Sequence, residues 1–244
     1  MIDSRTLFWY SINMKKCRNP FRQLNTFEWC LWGASLIIVA LAFLLPEEKD
    51  FVSFAASLIG VTALIFVAKG MVLGQVLTVA FATCYGVVSF SQKYYGEMIT
   101  YLCMTAPMAI SAIVSWLKHP FQDSVEVEVH RLSKKQWLLL GVSTPIVTVA
   151  FYFILGALGT ANVVVSTLSV ATSFFAASLT FLRSPYYALG YAANDVVLIA
   201  LWVFSAVQNL AYLPMVGCFV MFLINDLYGY FNWKRMEKRQ AKQA

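Results

Sequence analysis

Residues 184–202 read SPYYALGYAANDVVLIALW, an apolar stretch whose middle carries a carboxamide and a carboxylate. About 20 predominantly apolar residues are enough to cross the hydrocarbon core of a bilayer as an α-helix. The pair Ser184 and Pro185 is typical of a helix N-terminus, because proline is tolerated in the first turn. The stretch therefore predicts a membrane-spanning helix that holds Asn194 and Asp195 inside the membrane.

The rest of the chain has the same apolar character. Of its 244 residues, 60% are hydrophobic and only 12% are charged, whereas a soluble domain needs far more charge to cover its surface. The apolar runs are too long for barrel strands and do not alternate in polarity as such strands do. The predicted fold class is an all-α polytopic membrane protein. Its eight predicted spans are residues 27–45, 51–69, 71–92, 95–117, 136–157, 161–182, 185–205 and 210–233.

The basic residues indicate the orientation of these spans. With eight spans and a cytoplasmic N-terminus, all lysines and arginines except Lys49 and Lys93 fall on the cytoplasmic side. This distribution follows the positive-inside rule, so we expect both termini to be cytoplasmic. The net charge of +6 is then a signal of topology, and we expect no nucleic-acid partner.

The chain divides into one large domain and two short flanking segments. Residues 1–26 predict a basic cytoplasmic segment that either lies on the membrane surface or is weakly ordered. They lack the long apolar region and small-residue cleavage site of a removable signal peptide. Residues 27–236 form a single transmembrane domain, and residues 237–244 form a cytoplasmic tail.

Two parts of the domain resemble each other. Residues 51–117 and residues 161–233 both begin with a helix rich in small residues, which ends at Lys69 in the first part and at Arg183 in the second. One linker helix, at residues 136–157, separates the two triplets of spans, so the second triplet enters the membrane in the same direction as the first. This pattern predicts two parallel repeats related by an axis along the membrane normal, a known transporter design.

Polar side chains inside the spans are the candidate functional residues, because they are costly in a membrane. On the seventh span, Tyr187, Tyr191 and Asn194 share one helical face. Asp195 points about 100° away from Asn194, and Asp226 follows Asn225 in the same way. We therefore expect the two carboxylates to cap or pair with other helices rather than to touch a neutral ligand.

The candidate ligand contacts are tyrosines, carboxamides and one hydroxyl that we expect to meet near the axis between the repeats. They are Tyr85, Ser89, Gln92, Tyr187, Tyr191, Asn194, Asn225 and Tyr228. Aromatic rings stack on a flat heterocycle, and carboxamides both donate to and accept from its edge or from sugar hydroxyls. The same residue types also join helices through hydrogen bonds or form the aromatic belt, so that alternative stays open for each of them.

Several kinds of chemistry are not expected. The sequence contains no P-loop, GxSxG or HExxH motif, which favours a protein that is not an enzyme. The scattered cysteines and the two histidines lack the spacing of metal ligands, so we expect no metal and no cofactor. The expected partners are a small-molecule substrate and membrane lipid. A homo-oligomer and proton coupling through the embedded acids both stay open.

Three segments carry a resemblance to a known family: AKG at residues 68–70, YGEM at 95–98 and NDLYGYFNWKR at 225–235. In this order and spacing, the chain resembles the PnuC family of nicotinamide riboside transporters over residues 27–236. The resemblance implies a fold similar to a full-length SWEET sugar transporter, preceded here by one extra N-terminal helix. It also implies a bacterial plasma-membrane protein that imports nicotinamide riboside by facilitated diffusion with alternating access, followed by trapping by a cytoplasmic kinase.

The resemblance also bears on the candidate residues. The family's WxxWxxxN-like pattern corresponds here to Tyr187, Gly190 and Asn194, so the amide is kept and both tryptophans are replaced. Gln92 and Asn225 fall where the family has polar, substrate-facing positions. Because family members similar in fold carry thiamine, riboflavin or deoxynucleosides, these substrates remain alternatives. A structural subunit of a membrane complex and a membrane-embedded enzyme acting on lipid are the rival hypotheses.

Overall fold

The computed structural model of the chain describes residues 19–122, 124–160 and 162–243. Most of the predicted N-terminal segment, residues 1–18, lies outside these described residues. Within them, eight helices are long and apolar enough to cross a membrane, and no β-strand is present. The predicted all-α class with eight spans is confirmed. The helices are α1 (Thr26–Leu44), α2 (Phe51–Ala68), α3 (Val72–Ser91), α4 (Tyr95–Lys118), α5 (Lys134–Ala157), α6 (Val163–Phe181), α7 (Tyr187–Gln208) and α8 (Leu213–Gln243).

The helix ends follow local signals in the sequence. Asn25 and Glu28 form a reciprocal capping box at the start of α1, which satisfies backbone N–H groups that the first turn leaves unpaired. Ser133 and Gln136 do the same for α5. The predicted eighth span ended at residue 233, but α8 continues to Gln243. Its last part is too polar for a hydropathy pattern to find, although lysine, arginine, glutamine and alanine are good helix formers.

The connection between α2 and α3 depends on two glycines, one in the turn itself and one in the first turn of α3. Gly70 has a φ of +67°, a left-handed conformation that glycine adopts without steric cost. At Gly74, an added Cβ would lie only 2.4 Å from the backbone nitrogen of Val67. The two glycines therefore allow α2 and α3 to pack closely from the first turn after the connection.

The two triplets exchange equivalent contacts at the end of the bundle that carries most of the basic residues, called the basic end below. The indole of Trp116 on α4 donates to the carbonyl of Thr180 on α6, at 3.2 Å. The indole of Trp233 on α8 donates to the carbonyl of Val67 on α2, at 3.0 Å. Each third helix of a triplet thus bonds to the first helix of the other triplet. This reciprocity supports the predicted repeat, which stays a prediction.

The loop between α4 and α5 crosses the basic end and is held there by hydrogen bonds. The backbone N–H of Val127 donates to the carbonyl of Gly70, and that of His130 donates to the carbonyl of Arg183, each at 3.0 Å. Gln240 near the end of α8 bonds to the backbone of this loop through both atoms of its amide. Burial lowers the pKa of the Arg183 guanidinium, although the nearby Glu128 opposes this effect. The loop and the polar end of α8 therefore support each other.

The extra helix α1 is attached to α2 and α8. The buried carboxylate of Glu28 accepts a hydrogen bond from the hydroxyl of Tyr228 at 2.6 Å and pairs with the ammonium of Lys69 at 3.2 Å. Further along the same contact, the amide of Asn225 donates to the hydroxyl of Ser35, at 3.2 Å. Polar contacts therefore hold α1 against the bundle along the side of α8.

Candidate functional site

A cavity lies between α2, α3, α4, α7 and α8. Its walls include the apolar side chains of Leu64, Phe81 and Phe222, and the rings of Phe81 and Phe222 are 5.2 Å apart. Its polar lining comes from Gln75, Thr78, Tyr101, Thr105, Tyr191, Asp195 and Asp226. A largely apolar pocket with a few convergent polar groups is the usual form of a small-molecule site.

Two carboxyl groups dominate the polar part of this cavity. The side chains of Asp195 on α7 and Asp226 on α8 face each other within hydrogen-bonding reach, and each residue is only 2% exposed. Oδ2 of both groups has no hydrogen-bond donor from the described residues. Among the described residues, the cavity lining also contains no lysine, arginine or histidine. Because buried carboxyls without donors or counter-charges are costly, these oxygens are positions where a ligand can bind.

An irregular stretch of α4 contributes to the cavity wall. Residues Thr100–Thr105 form a π-helical segment, a rare variant that is frequent at functional sites. Tyr101 and Thr105 of this segment both line the cavity. The ring of Tyr101 is 4.2 Å from the ring of Tyr85, which packs behind it. The wider helical turn therefore contributes an aromatic ring and a hydroxyl to the cavity that the two carboxyl groups also line.

Asn194, the central residue of the sequence prediction, does not line this cavity. Its side-chain oxygen accepts hydrogen bonds from α6, where Thr172 lies at 2.8 Å and Ser173 at 3.1 Å. The hydroxyl of Ser169 lies 3.2 Å from the same oxygen. Asp195 rather than Asn194 lines the cavity, so the expected contact between Asn194 and a ligand stays a prediction. The two residues do point in different directions, but the hydroxyl-rich face of α6 receives the amide, which leaves the carboxyl for the cavity.

The predicted tyrosine face of α7 is divided between two environments. Tyr191 lines the cavity. Tyr187, one turn earlier, is buried against Trp233 with ring centroids 4.9 Å apart. One residue therefore belongs to the cavity, and the other belongs to the packing of the basic end.

The three predicted residues of α3 pack against other helices. Tyr85 is buried and accepts a hydrogen bond from the indole of Trp202 at 2.7 Å. Ser89 is also buried, one turn further along. Gln92 follows the last residue of α3, and its oxygen lies 3.4 Å from the hydroxyl of Ser205. Asn225 and Tyr228 on α8 contact α1, as described above. Of the eight predicted contacts, Tyr191 alone lines the cavity of the described residues.

Sequence reasoning did not predict that Asp195, Asp226 and Tyr101 line the cavity. A usable signal is present, because Asp195 follows Tyr191 by four residues and Asp226 follows Phe222 by four residues. Residues four apart share a helical face, so each carboxyl lies on an aromatic face of its helix. Glu97, the third embedded acid, does not line the cavity and instead accepts a hydrogen bond from Ser169 at 2.8 Å.

Comparisons with known proteins agree on one family. The family model described as nicotinamide mononucleotide transporter matches residues 50–235. A relative from Neisseria mucosa, named nicotinamide riboside transporter PnuC, is 30% identical over 212 residues, which cover 84% of this chain and 80% of the relative. A relative of the same name from Haemophilus influenzae is 26% identical over 212 residues, which cover 86% of this chain and 90% of the relative.

The structural comparison agrees with the sequence comparisons. A solved structure, described as the crystal structure of the vitamin B3 transporter PnuC, matches with a TM-score of 0.79 and 26% identity. The match covers 96% of this chain and 99% of that chain. The resemblance predicted from the sequence is confirmed, and the family consists of multi-pass membrane transporters rather than enzymes. The chain therefore belongs to the nicotinamide mononucleotide transporter family.

Proposed function

We propose that the protein imports nicotinamide riboside across a bacterial plasma membrane and binds it in the cavity between α2, α3, α4, α7 and α8. The observation that best supports this proposal is the cavity lining. It combines aromatic rings with two carboxyl groups that have no basic partner among the described lining residues. Nicotinamide riboside contains a flat, positively charged pyridinium ring attached to a sugar. The names of the two relatives support this ligand.

The chemistry of the lining matches each part of this ligand. Aromatic faces such as those of Tyr101 and Tyr191 attract a cation. The carboxyl groups of Asp195 and Asp226 provide the opposite charge, and their oxygens accept hydrogen bonds from sugar hydroxyls. Gln75 supplies both a donor and an acceptor, which suits the ligand's carboxamide.

The same lining separates the alternative substrates. Thiamine also contains a positively charged ring, whereas riboflavin and the common deoxynucleosides are neutral at pH 7. Two buried carboxyl groups favour cationic ligands over neutral ones. Thiamine is therefore the second candidate, and the neutral ligands rank below it.

The transport mechanism that we propose is alternating access without ATP. With the basic end on the cytoplasmic side, the layer formed by Tyr187, Trp116 and Trp233 closes the cavity toward the cytoplasm. Trp233 bonds to the backbone of Val67, which itself lines the cavity. Opening this layer and closing the opposite side would move the ligand inward down its gradient.

A ligand panel tests the substrate. Purified protein would be mixed with nicotinamide riboside, thiamine, riboflavin and a deoxynucleoside, and uptake of the bound ligands would be measured in proteoliposomes. We expect nicotinamide riboside to bind best, and Tyr191→Leu to weaken its binding roughly tenfold through loss of the aromatic face. The matched control is Tyr152→Leu, since Tyr152 lies on the outside of α5 and is 48% exposed.

The panel has two outcomes that contradict the proposal. Binding of none of the four ligands would exclude the proposed substrate class. Equal affinity for riboflavin and nicotinamide riboside would show that the carboxyl groups do not select a cation.

A further inference from the structure

The contact between Asp195 and Asp226 has a chemical requirement of its own. Two carboxyl groups this close cannot both be ionised without a compensating charge. A hydrogen bond between them also requires a proton, because an ionised carboxylate has none to donate. Both side chains are 2% exposed, so water supplies little compensation.

Among the described residues that line the cavity, none carries a positive charge that could compensate the pair. The titratable groups that interact electrostatically with it are the tyrosines Tyr101 of α4 and Tyr187 and Tyr191 of α7, together with Cys218 of α8. The wall segments from α2 and α3 contribute only apolar residues, Gln75 and Thr78. On the α6 side, Tyr191 has Thr180 as its neighbour.

The more distant charged groups are engaged elsewhere. From the α1 side, Glu28 and Lys69 pair with each other at the basic end, at 3.2 Å. Glu97 of α4 is bonded to Ser169 of α6. Within the described residues, the pair therefore has no basic partner in the cavity lining.

We propose that the Asp195–Asp226 pair shares one proton when the cavity is empty, and that a cationic ligand displaces this proton when it binds. In this step the O–H bond of one carboxyl group breaks, and the proton passes to water. Both carboxylates then face the positive ring and its hydroxyl groups. This inference rests on the proposed function, because it requires that a cationic riboside binds at this place.

The exchange explains why two acids line a cavity for a ligand with one positive charge. With one proton, the empty pair has a net charge of minus one. With a ligand of charge plus one in place of the proton, the two ionised carboxylates and the ligand again sum to minus one. The site therefore keeps the same net charge when it is empty and when it is loaded, which avoids leaving two bare carboxylates inside the membrane.

Calorimetry with the full-length protein tests the exchange. Binding of nicotinamide riboside would be measured in two buffers of different ionisation enthalpy, at several values between about pH 5 and about pH 8. We expect release of about one proton per ligand. While the empty pair is protonated, the dissociation constant should therefore fall about tenfold for each unit by which the pH is raised. The reduced dihydro form of the riboside, which has nearly the same shape but no charge, should bind without proton release.

Variants identify the groups that supply the proton. Asp195→Asn and Asp226→Asn each leave a single carboxyl group in the cavity, so we expect both variants to lose the proton release and to bind nicotinamide riboside with little dependence on pH. Glu97→Gln is the matched control, because it removes a buried acid that does not line the cavity. It should keep the proton release of the unmodified protein.

Infrared spectroscopy of the empty protein covers variants that bind the ligand too weakly for calorimetry. Adding the ligand should remove an infrared band of a protonated carboxyl group in the unmodified protein. The empty Asp195→Asn and Asp226→Asn variants should lack this band, whereas empty Glu97→Gln should retain it. Size-exclusion chromatography and thermal unfolding would establish that each variant is folded.

The outcomes distinguish this inference from the proposed function. Binding of nicotinamide riboside without proton release overturns the exchange and leaves the transporter assignment intact. If Glu97→Gln abolishes the proton release and both aspartate variants retain it, the proton comes from another site, and the proposed exchange is overturned. No binding of nicotinamide riboside contradicts the proposed function itself, and the exchange with it.

Discussion

Helices α7 and α8 each carry an asparagine followed directly by an aspartate, and both helices divide the pair in the same way. Asn194 turns toward the hydroxyl groups of α6, and Asn225 turns toward Ser35 of α1. Asp195 and Asp226 turn toward each other in the cavity. In both helices the amide joins the helix to a neighbour, and the acid faces the space where we place the ligand.

The difference follows from what each group can find among its neighbours. An amide is neutral, so hydroxyl groups on an adjacent helix satisfy it at moderate cost. A carboxyl group needs a proton, a cation or several donors, and the neighbouring helices offer it few of these. In both Asn–Asp pairs, the acid therefore lines the cavity and the amide beside it does not.

Exchanging Asn194 and Asp195 on α7 should have the largest effect on ligand binding. In the double variant Asn194→Asp with Asp195→Asn, the cavity loses a carboxyl group, and a new one lies near Glu97. We expect binding of nicotinamide riboside to weaken about 100-fold, as for removal of one buried charge partner. Calorimetry would measure this, with the two single variants as controls. Retained affinity would mean that Asp195 is not the ligand's counter-charge.

Removing the amide alone should affect stability and leave binding largely intact. Asn194→Ala takes away the acceptor shared by Thr172 and Ser173. Thr172 keeps backbone acceptors, but Ser173 is buried. Leaving such a buried hydroxyl unsatisfied costs about 1–3 kcal/mol, so the temperature of thermal unfolding in detergent should fall. The affinity for nicotinamide riboside should change less than about twofold. A large loss of affinity with unchanged stability would restore Asn194 as the ligand contact that the sequence predicted.

On α8, removing the corresponding amide should loosen the extra helix. Asn225→Ala loses the bonds to Ser35 on α1 and to the carbonyl of Met221. We expect a loss of stability of about 1 kcal/mol, within the range measured for hydrogen bonds between membrane helices. Hydrogen exchange should increase along α1 more than along α6. Equal increases in both helices would argue against a local role.

The smallest effect on stability should come from removing the serine hydroxyl in the contact between α1 and α8. Ser35→Ala leaves Asn225 bonded to Met221, so we expect a loss of only about 0.6 kcal/mol. A double-mutant cycle with Asn225→Ala would show coupling if the two side chains interact directly. Strict additivity of the two losses would contradict the hydrogen bond.

The sequence was informative about the membrane spans and less informative about the cavity. The bounds of α2 and α3 differ from the predicted spans by one residue at each end or less, because the change from apolar to polar residues is sharp there. α8 was missed beyond residue 233, since that part is helical but not apolar. Tyr85, Ser89 and Gln92 share a face as predicted, but that face packs against neighbouring helices such as α7, which no single-helix pattern reveals.

By itself, the amino-acid sequence determined the number of spans, the family and the presence of costly polar groups inside the membrane. These properties depend on hydropathy, segment length and local motifs, which are written along one chain. Only the tertiary structure decided which member of each Asn–Asp pair faces the cavity. That choice depends on the partners that α6 and α1 present to α7 and α8, and hence on contacts between residues far apart in the sequence.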